Sequence, residues 1–451
     1  MAGLAASIAA VPGAWAQGRV GGDGRAPNII YIMADDLGYG DLGCYGQEIL
    51  TTPNIDRLAH EGIRFTDCYA ASTVCAPSRC GLMTGLHMGH ARVRGNGGVP
   101  LEPEDVTVAE VLRDAGYRTG IFGKWGLGRE GSSGVPNLQG FDEWFGYLHQ
   151  GRAHNYYPDY VWENQERYPL PGNRGGRRET YTHDLFTERG LDFVTRHARD
   201  PFFLYMAYTV PHANNELGRE TGDGMEVPAY GRYADRDWPN PQKGHAAMID
   251  RLDRDVGRLL RRLEALGIDD ETVILFTSDN GPHREGGADP DFFDSNGPLR
   301  GIKRDLHEGG IRVPMIVRWP QGGPAGVVSD HPWAFWDFLP TAAELAGTSG
   351  PSGIDGLSMA GALTGGTAPH HDYLYWEFHE GGFHQAVRMG DIKAVRRRNR
   401  EAPIEIYRLD RDLGEEHDVS SELPSAVDRA EKLFSEARVD SAEFPVRERP
   451  T

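Results

Sequence analysis

Asn28-Ile29-Ile30-Tyr31-Ile32-Met33-Ala34-Asp35-Asp36 is an unbroken apolar run that ends in two aspartates. A strand without polar alternation is buried on both faces, as happens in a parallel sheet covered by helices. Four more segments read the same way: Arg118 to Phe122, Phe202 to Tyr208, Thr272 to Phe276, and Met315 to Arg318. Helical patterns lie between them. Val106 to Ala115 carries Val108, Val111 and Leu112 and stops at Gly116. Met248, Leu252, Val256, Leu259, Leu260 and Leu263 make one stripe at helical spacing, ended by Gly267. Strands alternating with helices predict an α/β domain, a doubly wound and mostly parallel sheet flanked by helices.

In such sheets, sites gather outside the carboxyl ends of the strands. The first strand runs into Asp35-Asp36, the second into Lys124, the third into His212 and the fourth into Asp279-Asn280. Any one of these could be an ordinary polar loop residue; four at one edge point to a site. After about Gly350 the texture changes. Tyr373 to Phe378, Gln385 to Val395 and Ile404 to Leu409 read as short antiparallel strands, followed by a helix from Ser425 to Ala437. The expected division is a signal-like N-terminus over 1–26, a catalytic α/β domain over 27–350, and a smaller C-terminal α+β subdomain over 351–451, an antiparallel sheet plus a helix.

The chain of 451 residues carries a formal charge of -19, with its basic residues mostly scattered. Such a surface repels polyanions and argues against a nucleic-acid partner. Four cysteines (Cys44, Cys68, Cys75 and Cys80) are too few for a disulfide scaffold, and none has zinc-site spacing with histidines. Met1 to Gln17 is Ala-rich and ends Ala14-Trp15-Ala16-Gln17, a small-x-small pattern that predicts a signal peptide and a secreted or periplasmic protein. No later apolar run is long enough to span a bilayer, so no membrane partner is expected.

A lone cysteine is more often a small buried hydrophobe than a nucleophile. Here the string Cys75-Ala76-Pro77-Ser78-Arg79 stands where a helix begins, followed by Gly81 to Gly85. It resembles the maturation signature of the type I sulfatases of the alkaline phosphatase superfamily, in which a generating enzyme oxidises the cysteine to formylglycine. The resemblance extends to Asp35-Asp36-Leu37-Gly38-Tyr39-Gly40-Asp41, to Thr52 through Ala59, to Gly123-Lys124-Trp125 and Gly140-Phe141-Asp142, and to Pro211-His212. Ser278-Asp279-Asn280-Gly281 and Leu299 through Lys303 to Pro314 complete it, so it runs from about Pro27 to Pro314.

That resemblance implies a sulfuric ester hydrolase. Its partners would be a sulfated sugar or aryl sulfate and the formylglycine-generating maturation enzyme. Cleaving a sulfate ester needs a nucleophile on sulfur, positive groups on the sulfuryl oxygens and an acid for the leaving oxygen. A formylglycine hydrate at Cys75 offers two geminal hydroxyls, one to attack and one to expel sulfate afterwards. Asp35, Asp36, Asp279 and Asn280 supply only oxygen, which suits a hard cation. The resemblance makes that ion Ca2+, bridged to residue 75. It also implies Arg79 on the nucleophile, Lys124 on nucleophile and sulfate, Lys303 on another sulfate oxygen, and His212 as the acid.

One departure stands out. The family commonly reads Gly-Lys-x-His-x-Gly, whereas this chain reads Gly123-Lys124-Trp125-Gly126-Leu127-Gly128. Among His149, Arg152, His154 and Asn155, we take His154 as the substitute or a substrate contact, with Arg152 and Asn155 beside it. Trp376-Glu377-Phe378-His379-Glu380, with His384 and His283, could bind a sugar ring by stacking and hydrogen bonding; Glu377, His379 and His283 are the chosen contacts. The resemblance to carbohydrate sulfatases implies a sulfated galactose or galactosamine unit at a chain end as the expected substrate. Two other readings stay open: a phosphonate or phosphoester hydrolase of the same superfamily, and a catalytically impaired, calcium-dependent binder of sulfated sugar.

Overall fold

The computed structural model describes residues 26–447, so the signal-like segment Met1 to Gln17 lies outside the described residues. Among them, eleven strands form one large sheet. In chain order they are β1 (Asn28–Asp35), β2 (Ile63–Tyr69), β3 (Arg118–Lys124), β4 (Glu143–Tyr147), β5 (Tyr160–Glu163), β6 (Glu166–Pro169), β7 (Phe202–Pro211), β8 (Thr272–Ser278), β9 (Arg312–Arg318), β10 (Val327–Ser329) and β11 (Trp333–Ala334). The order is β10-β2-β9-β8-β1-β7-β3-β4-β5-β6, with β11 beside β2. The central block β8-β1-β7-β3-β4 is parallel throughout. Because β1 lies between β8 and β7, the chain returns on both sides of it, and a crevice opens at the carboxyl ends there.

Successive residues of β1 face opposite layers. Ile29, Tyr31 and Met33 join a core with Trp125, Trp336 and Phe338. Ile30 and Ile32 join the other, packed by Leu252, Val256 and Leu260 of the Asn240–Leu266 helix. Each fully buried aliphatic side chain contributes roughly 1.5–3 kcal/mol, so both faces strongly favour this register. The long helix ends at Gly267 in the left-handed conformation, as its sequence predicts.

The structure departs from the sequence reading in local places. The segment around Met315 to Arg318 is β9, and it pairs antiparallel with both β8 and β2. Burial on both faces leaves the same apolar run whichever way the neighbours point. Residues 160–169 form the β5–β6 hairpin at the sheet edge, outside the apolar runs of the sequence. Strands this short and polar carry little periodic signal.

The C-terminal sheet is antiparallel, with β12 (Leu374–Phe378), β13 (His384–Met389), β14 (Ile392–Arg396) and β15 (Ile404–Arg408) in sequence order. The expected run Gln385 to Val395 is thus two strands joined by a tight turn. Trp376, Phe378, Ala386, Val395 and Tyr407 pack into the main core. Tyr375, Val387, Ala394 and Ile406 face the Pro424–Glu436 helix through Ala430 and Phe434. Buried ion pairs fasten the two sheets: Lys393 Nζ to Glu308 Oε1 at 2.8 Å and Arg388 Nη1 to Asp67 Oδ2 at 2.7 Å. No helix among the described residues is long and apolar enough to cross a membrane.

Candidate active site

Four parallel strands deliver their last residues to one place. β1 ends in Asp35, and Asp36 takes a φ of 66°, in the left-handed region. Strand alternation would send the two carboxylates to opposite faces; the turn at Asp36 lets both enter one cluster, a costly conformation typical of functional sites. Asp36 N donates to Asp279 Oδ1 at 3.1 Å, which couples the end of β1 to the end of β8.

Cys75 is the first residue of the Cys75–Thr84 helix, after the extended Val74. Pro77 falls in the first turn, where its missing N–H costs nothing. Arg79, four residues on, shares the face of Cys75. The Cys75 Sγ donates to Asp35 Oδ1 at 3.3 Å, and Lys124 Nζ donates to Asp35 Oδ2 at 2.7 Å. Arg79 Nη2 donates to Asp279 Oδ2 at 2.8 Å and its Nη1 to the Lys124 carbonyl at 2.8 Å. Lys303 Nζ donates to Asp36 Oδ2 at 2.7 Å and approaches His212 Nε2 at 3.2 Å. Asp35, Asp36, Arg79 and Asp279 are wholly buried.

His212 has a defined tautomer. Its Nδ1 lies 2.7 Å from the Ala213 carbonyl, which can only accept, so Nδ1 carries the proton and Nε2 offers its lone pair to Lys303. Burial, helped by Lys303, pushes the imidazole down to about 3. Burial opposes ionisation of Asp35, yet Lys124, His212 and Arg79 hold it well below the usual carboxylate range. Burial and the charge of Asp35 push Asp279 up to about 7 in spite of Arg79. Burial and Asp35 also raise the Cys75 thiol well above its ordinary value, so the unmodified side chain is a thiol rather than a nucleophilic thiolate.

The donor set fits a hard cation. Asn280 Nδ2 donates to Asp36 Oδ1 at 2.7 Å and to the Gly281 carbonyl at 2.9 Å. Its Oδ1 is therefore turned away from those partners, buried and without one of its own. An orphaned buried oxygen beside three carboxylates is a donor set that suits a hard cation. Ligand atoms of Asp35, Asp36, Cys75 and His212 also lie within 4.8 Å of one another. That grouping would need the His212 lone pair already directed at Lys303, so the oxygen set from Asp35, Asp36, Asp279 and Asn280 is the better match.

The remaining expected contacts divide. His154 stacks on His212, with ring centres 4.9 Å apart, and its Nδ1 pairs with Glu216 at 3.1 Å. A cavity of about 660 Å3 opens on the far side of Glu216, lined by Arg152, Asn155, Tyr157, Arg178, Asn214 and Glu216 but not by His154 or His212. His283 does not serve as the expected sugar contact. Its Nε2 faces the Pro211 carbonyl at 3.2 Å and its Nδ1 accepts from Glu285 N at 3.0 Å, which leaves no nitrogen for a ligand. Stacked 5.9 Å from His212, it supports that ring instead. Glu377 also departs from expectation. Its Oε1 takes Arg94 at 2.8 Å and His379 at 3.0 Å, while its Oε2 takes Arg438 at 2.9 Å and Tyr375 at 3.0 Å. A wholly buried carboxylate so engaged has no oxygen for a sugar; His379 spends its Nε2 on it.

Sequence reading missed Glu285, which pairs with Lys303 at 3.4 Å and Arg304 at 2.5 Å, and Glu216, which orients His154. Both are single acidic residues in loops; only the nearness of Glu285 to Asn280 was a signal.

A family model described as Sulfatase matches residues 27–348, and one described as N-sulphoglucosamine sulphohydrolase, C-terminal, matches residues 302–436. The N-acetylgalactosamine-6-sulfatase of Canis lupus familiaris is 36% identical over 397 residues, covering 82% of this chain and 72% of that protein. Arylsulfatase A of Homo sapiens is 36% identical over 413 residues, covering 82% and 75%. The crystal structure of Ps i-CgsB in complex with k-i-k-neocarrahexaose is similar at a TM-score of 0.79 and 31% identity, over 92% of this chain and 94% of that one.

Proposed function

The chain belongs to the type I sulfatases of the alkaline phosphatase superfamily, and from that premise we propose that it cleaves O-sulfated galactose or galactosamine units with a formylglycine made from Cys75 and a calcium ion. Hydrolysis of sulfate esters follows from the family itself; the sugar, the modification and the ion are the further reading. The observation that carries it is the shared carboxylate: Asp35 accepts from Cys75 on one oxygen and from Lys124 on the other.

In this reading Asp35, Asp36, Asp279 and Asn280 hold the ion, whose charge would acidify the nucleophile's hydroxyl and offset charge developing on sulfate. Lys124 and Lys303, held in the cluster on Asp35 and Asp36, would bind the sulfuryl oxygens. Arg79, fixed on Asp279 and the Lys124 carbonyl, steadies residue 75. The leaving sugar occupies the cavity on the far side of Glu216, with Arg152 and Asn155 at its wall. His212 and Lys303, 3.2 Å apart, hold the proton that the leaving oxygen takes. In this reading the catalytic domain is 27–350, the C-terminal subdomain is 351–451, and a signal within 1–26 would direct export.

The test is sulfate release from a panel of sulfated mono- and oligosaccharides, by protein produced with a formylglycine-generating enzyme and checked by mass. Activity should disappear with a chelator and return with calcium. Faster turnover of phosphate or phosphonate esters would replace the reading with the phosphoester one.

Leaving-group dependence tests His212 separately. His212→Ala should slow a sugar sulfate about 10²–10⁴-fold, the usual weight of general acid catalysis. An aryl sulfate with an acidic phenol needs little protonation and should lose much less. Equal losses on both would remove His212 from the acid's place.

A further inference from the structure

Gly126 stands two residues beyond Lys124, where the family commonly has a histidine, and its φ is 83°. The space a side chain would enter there is taken. A Cβ built on Gly126 would lie 2.3 Å from Gln150 Nε2, 3.1 Å from its Cδ and 3.8 Å from its Oε1, so the amide nitrogen is the part pressed against the glycine. Gln150 opens the short helical segment Gln150–His154 and is 9% exposed. Its Nε2 is buried and has no hydrogen-bond partner.

A buried amide N–H without an acceptor costs stability and leaves a donor free to meet a ligand's acceptor. The surroundings indicate which kind. Trp125 turns away into the core, its Nε1 donating to the Gly134 carbonyl at 2.7 Å, while Lys124 on the preceding residue enters the cluster. Backbone bonds hold the two segments in register: Trp125 N to the Tyr147 carbonyl at 3.0 Å and Gly126 N to the Leu148 carbonyl at 3.3 Å. Gln150 therefore holds a neutral donor against Gly126, two residues beyond the Lys124 that enters the cluster, in a protein whose ligand is an anion rich in acceptors.

We propose that Gln150 donates its side-chain N–H to a sulfuryl oxygen of the bound ester, from the place that a side chain at position 126 would otherwise occupy. The inference rests on the Cys75 reading of the site. A neutral amide changes no charge with pH, so this contact binds sulfate equally well across the range in which an imidazole would titrate. Glycine at 126 and glutamine at 150 form one unit, because a bulkier residue 126 would displace the amide.

The experiment uses matured protein with Gln150→Met, which keeps the volume and removes the donor, and Gln150→Glu, which keeps the shape and adds negative charge. Affinity for inorganic sulfate is measured by calorimetry and kcat/KM on one sulfated sugar. Loss of a hydrogen bond to an anion should weaken sulfate binding and kcat/KM about 10- to 100-fold in Gln150→Met. Gln150→Glu should be worse, with part of its loss recovered at acid pH. Both variants binding sulfate within about twofold of wild type overturns the proposal and leaves the Cys75 reading standing. A matured wild-type protein that neither binds sulfate nor releases it overturns both.

Discussion

Cys75→Ala, produced with the maturation enzyme and calcium, should lose on the order of 10⁵-fold in kcat on any sulfate ester, as enzymes do when the attacking residue is removed. The loss should be selective. Asp35, Asp36, Asp279, Asn280, Lys124 and Lys303 all remain, so the variant should still bind inorganic sulfate with near wild-type affinity. Cys75 is 2% exposed and packed in the first turn of its helix, and alanine there removes only one sulfur atom. Cys75→Ser is the sharper companion. Its single hydroxyl can take the sulfuryl group from the ester but offers no second hydroxyl to expel it. At most one sulfate should transfer per chain, visible as a sulfated serine by mass spectrometry. Steady turnover by either variant would place the nucleophile elsewhere.

Glu377→Ala should cost ~3–5 kcal/mol of stability, the usual penalty for leaving buried charges without their partner. Arg94 is 2% exposed and would keep only its bonds to the Ala91 and Val439 carbonyls. Arg438 would lose its buried partner as well. Burial works against the Glu377 carboxylate, but His379, Arg94 and Arg438 hold it down to about 2. Its folded pKa thus lies below its unfolded one. The stabilisation is complete above roughly 4.3 and disappears as pH falls from there toward about 2. Urea titrations should therefore show wild type losing more stability over that acid window than Glu377→Gln does. At neutral pH, kcat/KM per folded molecule should change little. A selective rise in KM without loss of stability would restore Glu377 to the sugar-binding role that its sequence neighbours suggested.

The sequence by itself determined the parts of the protein that are local in the chain. Apolar runs such as Asn28 to Met33 marked the buried strands, and the residues following them marked the site, because a parallel sheet brings the carboxyl ends of its strands together. The Cys75-to-Arg79 string and Asp279-Asn280 were legible as candidates because their residues sit at fixed short spacings, and the structure brings them into one cluster. Tertiary structure alone decided the direction of β9, since burial on both faces erases any sign of direction. It also decided which polar residues face ligand and which face protein. Glu377 and His283 have the chemistry of sugar contacts, yet one is spent on two arginines and the other on backbone. Gln150 has no motif, and its amide lies against Gly126 only because β4 carries that segment alongside the end of β3. Hydrogen-bond partners across long separations are chosen by packing, which a linear pattern does not encode.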